Sequence, residues 1–396
     1  MHGPLAKEAK RLLQADLENI TLENVQTCCI IANLCEWDCN RSSGALFFRI
    51  ALGMAEIMDL SAPDTESPIA EREMKRRVWW TLFAADRWFS SGLRLSRQLE
   101  DFQKSIELPM DEDIFHALDP TDMALSVPWK PGLWAHMVGL HQLFGPVLDL
   151  NRRCAQGNMP SHEREATVMD IAGRLAAWED MVPSGDKMTD ENFHLHRQRG
   201  TGGPFVSLHL AYNYYSLLLY FQYLAHQQPQ APTVQTYVQR CKQCAGAYSY
   251  LVKMSRDHAG CEAVFPTASH MTVVSSSVLL HTLLFGDEWE VASARGALNS
   301  NFEVLVDFQQ YWPELIAQMI HRLTSFQEMC LLASARNHPT HEFDNWMLRF
   351  VVEFALPLEE RSFALRAVEE ARATVDMHAA RFAEQGRITD FGVFQL

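Results

Sequence analysis

The sequence lacks an excess of positive charge, and this absence limits the partners that it can bind directly. It contains 49 Asp and Glu residues against 34 Lys and Arg, which gives a net charge of −15 at pH 7. Proteins that grip nucleic acid usually carry a basic face, because neutralising the phosphates drives their affinity. We therefore do not expect this chain to bind nucleic acid through a basic surface of its own.

The sequence motifs of common nucleotide-binding and hydrolytic enzymes are also missing. No P-loop, no dinucleotide-binding glycine pattern and no nucleophile-elbow serine is present. The glycine cluster at 200–203 precedes a helical stretch with no strand ahead of it, so we interpret it as a turn. We expect the chain not to be an enzyme.

The nine cysteines do not have the spacing of a metal site. Cys28, Cys35 and Cys39 lie on one face of a predicted helix, but they extend over about 16 Å of helical rise and cannot converge on one ion. The pair Cys241 and Cys244 has no second pair to complete a zinc site. We predict reduced, buried thiols and no metal or cofactor in this chain.

Long unbroken apolar runs are absent as well. Two stretches, 200–239 and 263–286, contain no charged residue, but both include Pro, His and several Ser, Thr or Gln residues. This composition is typical of buried core helices and not of a membrane span. We expect no association with a membrane.

The most informative segment runs from Ser67 to Pro109. Ser67-Pro68 predicts a helix start, because proline fits the first helical turn. An apolar stripe follows, in which Met74, Val78 and Leu82 recur every four positions. Trp79 and Phe83 each lie one residue further along and widen the stripe on the same side of the helix. We expect Gly92 to close this helix in the left-handed conformation.

Similar helical periodicity covers almost all of the remaining chain, and no strand alternation or hairpin dipeptide interrupts it. The fold class predicted is therefore all-α, with many helices. We expect one domain over residues 1–396. The polar stretch 183–204 is the one candidate for an internal boundary, but the flanking helices are too apolar to stand alone.

The segment 67–113 resembles the regulatory middle region of fungal transcription factors of the binuclear zinc-cluster type. That family combines basic residues, a Trp-Trp pair, an Asp-Arg pair and a glycine with a loop that ends in Leu-Pro before acidic residues. The matching positions here are Arg76, Arg77, Trp79, Trp80, Phe83, Asp86, Arg87, Gly92, Leu108 and Pro109.

The resemblance is strongest over 21–113 and becomes diffuse towards residue 354. It includes the Met54-Ala55 step and Leu60. The sequence departs from the family at two places. The family often has Gly-Leu-His where this chain has Asp59-Leu60-Ser61, and Gly-Arg-Pro where it has Gly92-Leu93-Arg94.

The resemblance implies an all-α regulatory domain of a nuclear transcription regulator, in a family that controls metabolic or secondary-metabolite genes among others. The family binds DNA through an N-terminal zinc cluster, whose cysteine pattern this sequence does not contain. We expect DNA to be reached only through another domain or a partner. A protein partner or homodimer and a small-molecule effector are the partners implied.

Several roles remain open for the motif residues. The basic residues Arg76, Arg77 and Arg87 could contact nucleic acid, but the neighbouring acids favour internal salt bridges. Adjacent tryptophans point about 100° apart on a helix. One of Trp79 and Trp80 is therefore predicted in the core, and the other at a boundary or pocket. A speculative effector pocket combines Trp79, Trp80, Tyr214 and Tyr215.

Two alternative functions are kept beside the transcription regulator. One is a stand-alone module that binds a small molecule. The other is a helical enzyme of the prenyl-transfer type, in which the acidic run Asp111-Glu112-Asp113 would hold magnesium. That chemistry needs a second, facing acidic motif, and the nearest candidate at 299–303 lacks the required spacing.

Overall fold

The computed structural model of the protein describes residues 3–37, 39–93, 95–101, 106–224, 232–335, 341–353 and 377–391. Within these ranges the regular elements are helices, together with one isolated antiparallel bridge between Met110 and Pro131. The predicted all-α class is confirmed.

Contacts divide the chain into two compact units, residues 1–145 and 146–396. The first contains five helices: α1 (Gly3–Ala15), α2 (Leu22–Trp37), α3 (Arg41–Ile57), α4 (Ile69–Gly92) and α5 (Glu112–His116). Helix α6 (Leu133–Ala155) crosses the boundary, and Pro146 lies inside it. The second contains α7 (Ser161–Met181), α8 (Asp190–Arg199), α9 (Gly202–Phe221), α10 (Pro232–Asp257), α11 (Pro266–Phe285), α12 (Glu288–Gln309), α13 (Pro313–Ala335) and α14 (His341–Val352).

Helix α4 organises the first unit. Its buried residues include both polar and apolar side chains, because α2, α3 and the chain that follows α4 all pack against it. Apolar side chains from α2, α3 and α4 form the core around Phe48, Trp80 and Phe83. Such burial of large aromatic side chains supplies the dominant stabilising term of a helical core.

Helices α9 to α13 form the centre of the second unit, in which α11 packs against α10, α12 and α13. By length and composition α11 could cross a membrane, but 94% of its most apolar window is buried inside the fold. It is therefore a core helix, as the sequence predicts. Hydroxyl groups of α11 are satisfied internally; Thr272, for example, donates to the carbonyl oxygen of Ala268 over 2.8 Å.

The boundary between the two units differs from the one that composition suggested. The stretch 183–204 is not a linker, since it contains a short 3-10 helix, Ser184–Asp186, and the whole of α8. The contact boundary instead falls at Gly145 and Pro146, inside a continuous helix. A boundary within a helix leaves no polar linker for composition to reveal. The helical periodicity of the sequence also predicts a helix over 358–384. Most of this range lies outside the described residues, and its described part, 377–384, is helical.

Candidate functional site

The motif residues lie along α4, where a buried acid ties the helix to the loop that follows it. Glu73 is fully buried and accepts from three donors. These are Nη1 of Arg76 at 2.5 Å, Nε of Arg77 at 2.8 Å and the backbone N–H of Met110 at 2.9 Å. Nη2 of Arg77 in turn donates to the carbonyl oxygen of Met110 over 2.8 Å. This geometry fixes the loop at Met110 against the first turns of α4.

A second buried acid repeats the arrangement near the other end of the helix. Asp86 accepts from the backbone N–H of Gln98 at 2.9 Å and of Leu99 at 3.0 Å. Arg87 donates to the carbonyl oxygens of Leu99 and Glu100 and to Oδ1 of Asp101, over 2.8–3.2 Å. Both residues have no exposed side-chain surface. Neighbouring residues on α4 therefore bind the N–H and C=O groups of the same loop.

The guanidinium of Arg87 also covers the ring of Phe83, with its central carbon 3.5 Å from the ring centroid. Burial lowers the pKa of this guanidinium, while Asp101 and Asp86 act in the opposite direction. His141 lies nearby, and burial together with the charge of Arg87 lowers its pKa to about 3. His141 is consequently neutral at physiological pH, which avoids a second buried cation beside Arg87.

Both tryptophans of the pair are buried, Trp79 with 4% and Trp80 with none of its surface exposed. The indole N–H of Trp80 donates to the carbonyl oxygen of Glu107 over 2.9 Å, and its ring meets Phe83 edge-on. The prediction that one of them lies at a boundary or pocket is wrong. Two adjacent residues can both be buried here because α4 has neighbours on more than one side.

Glu73, Arg77, Trp80, Asp86 and Arg87 together form what we call the α4 clamp, a set of side chains that hold the loop residues 98–101 and 107–110 against the helix. The loop ends at Leu108, which packs against the core, and Pro109, which is buried. Gly92 is the last residue of α4 and does not have a positive φ, and the next residue, Leu93, has φ −103°. The left-handed glycine cap predicted at this point is therefore wrong.

The structure explains how Asp59 can stand where the resembling family often has glycine. This residue has φ +52°, in the left-handed region that L-residues other than Asn and Asp rarely enter. The resembling family has glycine at the same step, and glycine adopts this conformation without steric cost. The turn after α3 is thus kept, although the residue is different.

A cleft of about 560 Å³ opens beside the clamp, within the first unit. Among the described residues, its walls are formed by Ile69, Arg72, Arg76, Glu107, Leu108, Met110, Ala124, Leu125 and Trp129. Arg72, Arg76 and Glu107 also line a second cavity of about 420 Å³, so these side chains form a shared wall. Arg76 is ion-paired with Glu107, whose side chain is 77% exposed. The site combines apolar walls with an exposed ion pair.

The other half of the speculative effector pocket lies in the second unit. Tyr214 and Tyr215 on α9 are buried, with 1% and 0% exposure, and burial raises the pKa of Tyr214. Since Trp79 and Trp80 belong to the first unit, a pocket formed by all four stays a prediction.

The thiol and acidic candidates have ordinary structural surroundings. Burial raises the pKa of Cys28 to about 11 and that of Cys244 to about 12, so neither is a reactive thiolate. Asp111 caps α5 by accepting from the N–H groups of Asp113 and Ile114. Within the part of the chain that the structure describes, no group of three or more His, Cys, Asp or Glu residues is placed to hold a metal ion.

Comparison with known proteins agrees with the motif on α4. Residues 2–180, which include the entire clamp, match the family model described as the fungal specific transcription factor domain. These residues therefore belong to that domain family. The resemblance inferred from the α4 motif is confirmed. No solved structure matches the chain.

Among curated proteins, one similar protein is the Zn(2)-C6 fungal-type transcription factor FTF1c of Fusarium oxysporum f. sp. lycopersici. The two sequences are 21% identical over 321 residues, which cover 73% of this chain and 34% of the relative. Two uncharacterised transcriptional regulatory proteins of Schizosaccharomyces pombe are also similar. The first is 23% identical to this chain over 54% of its length, and the second is 30% identical over 43% of this chain. They are matched over 25% and 24% of their own length. The chain thus spans about a third or less of these relatives. Their names are those of transcription factors and not of enzymes.

Proposed function

We propose that this chain is the regulatory part of a transcription regulator that acts in the nucleus. The observation that carries the proposal is the fungal specific transcription factor domain over residues 2–180. The names of the relatives, which are transcription factors and regulatory proteins, support the same role.

The charges favour regulation over direct DNA binding. The basic residues of the motif are engaged within the chain, since Arg76 and Arg77 pair with Glu73 and Arg87 pairs with Asp101. The net charge of −15 disfavours a phosphate-binding surface further. DNA would be reached through a domain or partner that carries the zinc cluster typical of the Zn(2)-C6 type.

A tethered reporter assay tests this function. The chain is fused to a heterologous DNA-binding domain, and expression of a reporter behind the matching operator is compared with that of the DNA-binding domain alone. We expect a change of at least several-fold in reporter expression. Glu71→Ala should preserve this change and Glu73→Ala should remove it, because Glu73, unlike Glu71, binds the loop at Met110. Expression equal to that of the DNA-binding domain alone would contradict the proposal.

The cleft beside the clamp favours a small-molecule effector as an additional part of this function. Its volume of about 560 Å³ lies in the usual range for ligand sites. Its walls combine the apolar side chains of Leu108, Leu125 and Trp129 with the guanidinium of Arg76. Nη1 of that guanidinium pairs with the buried Glu73, whereas the carboxylate on Nη2 belongs to the exposed Glu107, and an anionic ligand could take the place of Glu107. We therefore propose an amphipathic organic anion as effector.

Binding of the anionic aromatic dye 8-anilino-1-naphthalenesulfonate tests the cleft. We expect Trp129→Ala to weaken the binding, and Glu107→Gln to strengthen it because it removes the carboxylate from Nη2 of Arg76. Trp289→Ala is a matched control, since Trp289 is an exposed tryptophan on α12 of the second unit. Equal affinity in all variants would contradict an effector site in this cleft.

A further inference from the structure

Ser67 is the sole serine or threonine of the sequence that is followed by proline. Proline restricts the residue before it to extended conformations, and Pro68 itself is extended, with φ −54° and ψ 151°. Residues 63–68 lie outside regular secondary structure, most of 62–66 is exposed, and Ser67 is partly exposed. A protein kinase holds its acceptor in an extended, accessible segment of this kind, and proline-directed kinases select a serine that precedes proline.

The hydroxyl of Ser67 is not required by the fold. The cap residue of α4 is Pro68, and no side-chain hydrogen bond is made at this cap. The hydroxyl makes two long contacts instead, at 3.4 Å from Oε1 of Glu71 and at 3.3 Å from Nζ of Lys75. Those two side chains also pair with each other at 2.8 Å, so their positions do not depend on the hydroxyl. The hydroxyl can therefore be modified without the loss of a strong structural bond.

Two cations lie within reach of a phosphate on Ser67. One is Lys75, and the other is Arg72, which has no carboxylate within ion-pair distance among the described residues. Its Nη1 and Nη2 donate to the carbonyl oxygens of Asp64 at 3.5 Å and of Met123 at 3.0 Å, and its buried Nε has no acceptor. Both cations line the second cavity of about 420 Å³. A phosphate would thus meet a guanidinium that no acid has yet neutralised, and such pairs form strong hydrogen bonds.

Asp64 joins the loop before α4 to the helix through the same two cations. Its Oδ2 accepts from Nζ of Lys75 at 2.8 Å, and its carbonyl oxygen accepts from Arg72. Its Oδ1 accepts from the N–H groups of Glu66 and Ser67, both at 3.0 Å, so the carboxylate lies directly beside Ser67. A phosphate on Ser67 would therefore compete with Asp64 for its partners and repel it at short range.

We propose that Ser67 is a phosphorylation site for a proline-directed kinase, and that the phosphate releases Asp64 from α4. In the transfer, the Ser67 oxygen bonds to the γ-phosphorus of ATP, the bond from that phosphorus to the bridging oxygen breaks, ADP leaves, and the hydroxyl proton passes to a base of the kinase. The phosphate, of charge about −2, takes over Lys75 and Arg72. Residues 58–65, which form one wall of the second cavity, then move away from the helix. This inference does not rest on the proposed role in transcription.

Phosphorylation of the purified full chain tests the acceptor. The folded chain is incubated with ATP and a proline-directed kinase, and the phosphate is located by mass spectrometry. We expect it on Ser67 and not on Ser61 or Thr65, which lie in the same loop but do not precede proline. Ser67→Ala should abolish it and leave the melting temperature unchanged, because the hydroxyl does not cap α4. A chain without phosphate on Ser67, or a lower melting temperature of Ser67→Ala, would overturn the site.

Hydrogen exchange in the segment 59–67 tests the release. We expect the two amides that donate to Asp64 to exchange about tenfold faster in the phosphorylated chain, because they lose their acceptor. Lys75→Gln should have the same effect without phosphate, since it removes the ion pair with Asp64. Lys130→Gln is the matched control, because Lys130 pairs outside this loop. Exchange that phosphorylation leaves unchanged or slows would overturn the release of the loop.

Discussion

Replacing Glu73 by alanine is the most direct test of the α4 clamp. The substitution removes the acceptor of two guanidinium groups and of the Met110 N–H, all within 2.5–2.9 Å. Arg76 keeps Glu107 as a partner, and Arg77 keeps the carbonyl oxygen of Met110. The Met110 N–H, in a residue with 2% exposure, loses its acceptor.

These changes define the expected loss of stability. A buried donor without a partner costs about 1–3 kcal/mol, and hydrogen bonds to a charged group contribute about 1.5–3 kcal/mol each. The two arginines retain part of their solvation, with 16% and 22% of their side chains exposed. We therefore expect Glu73→Ala to lower the free energy of unfolding by about 3 kcal/mol, the lower end for breaking a buried ion pair.

Urea denaturation followed by circular dichroism measures this loss, and hydrogen exchange at the Met110 amide reports it locally. Glu71→Ala is the matched control on the same helix. Glu71 is 48% exposed and pairs with Lys75, so its loss should cost no more than about 0.5 kcal/mol. Equal effects of the two substitutions, or unchanged exchange at Met110, would refute the assignment of Glu73 as the residue that holds the loop.

Three further predictions concern other sites in the first unit. Asp59→Gly should stabilise the protein by up to about 1 kcal/mol in thermal denaturation, because φ +52° suits glycine better; a lower melting temperature would contradict this. Trp80→Phe should cost about 1 kcal/mol or more, since the carbonyl oxygen of Glu107 loses the indole donor; equal urea midpoints would contradict it. The folded-state pKa of His141 is lowered from about 6.5 to about 3, so the unfolded chain binds the proton more readily. Stability should therefore be complete above about pH 6.5 and fall by up to about 1.4 kcal/mol per pH unit between there and about pH 3, with a shallower slope in His141→Phe. An unchanged slope in that variant would assign the pH dependence to other groups.

Much of the fold follows from local patterns in the sequence. Helical periodicity in the sequence predicts helices over 161–181 and 313–334; the first agrees with α7, and the second ends one residue short of α13. Apolar periodicity and capping residues act over one or two turns, so they can be seen without knowing the tertiary structure. Thr21 illustrates this, since threonine directly before a helical stretch is a favoured cap residue, and its hydroxyl accepts from the N–H of Asn24.

The candidate site depends on contacts that are distant in the sequence. Glu73 suggests only a favourable charge near a helix N-terminus, whereas in the structure it accepts from Met110, 37 residues away. The burial of both Trp79 and Trp80 likewise depends on what surrounds α4. The family resemblance named four residues of the clamp, Arg77, Trp80, Asp86 and Arg87, but not Glu73, and the structure supplied the contacts that each of them makes.

We propose that this chain regulates transcription. The most direct measurement is the transcript profile of the native host after rapid depletion of the chain, with re-expression of defined variants. We predict that a coherent group of genes changes, that the wild-type chain and Glu71→Ala restore it, and that Glu73→Ala does not. An unchanged profile after depletion would contradict the claim.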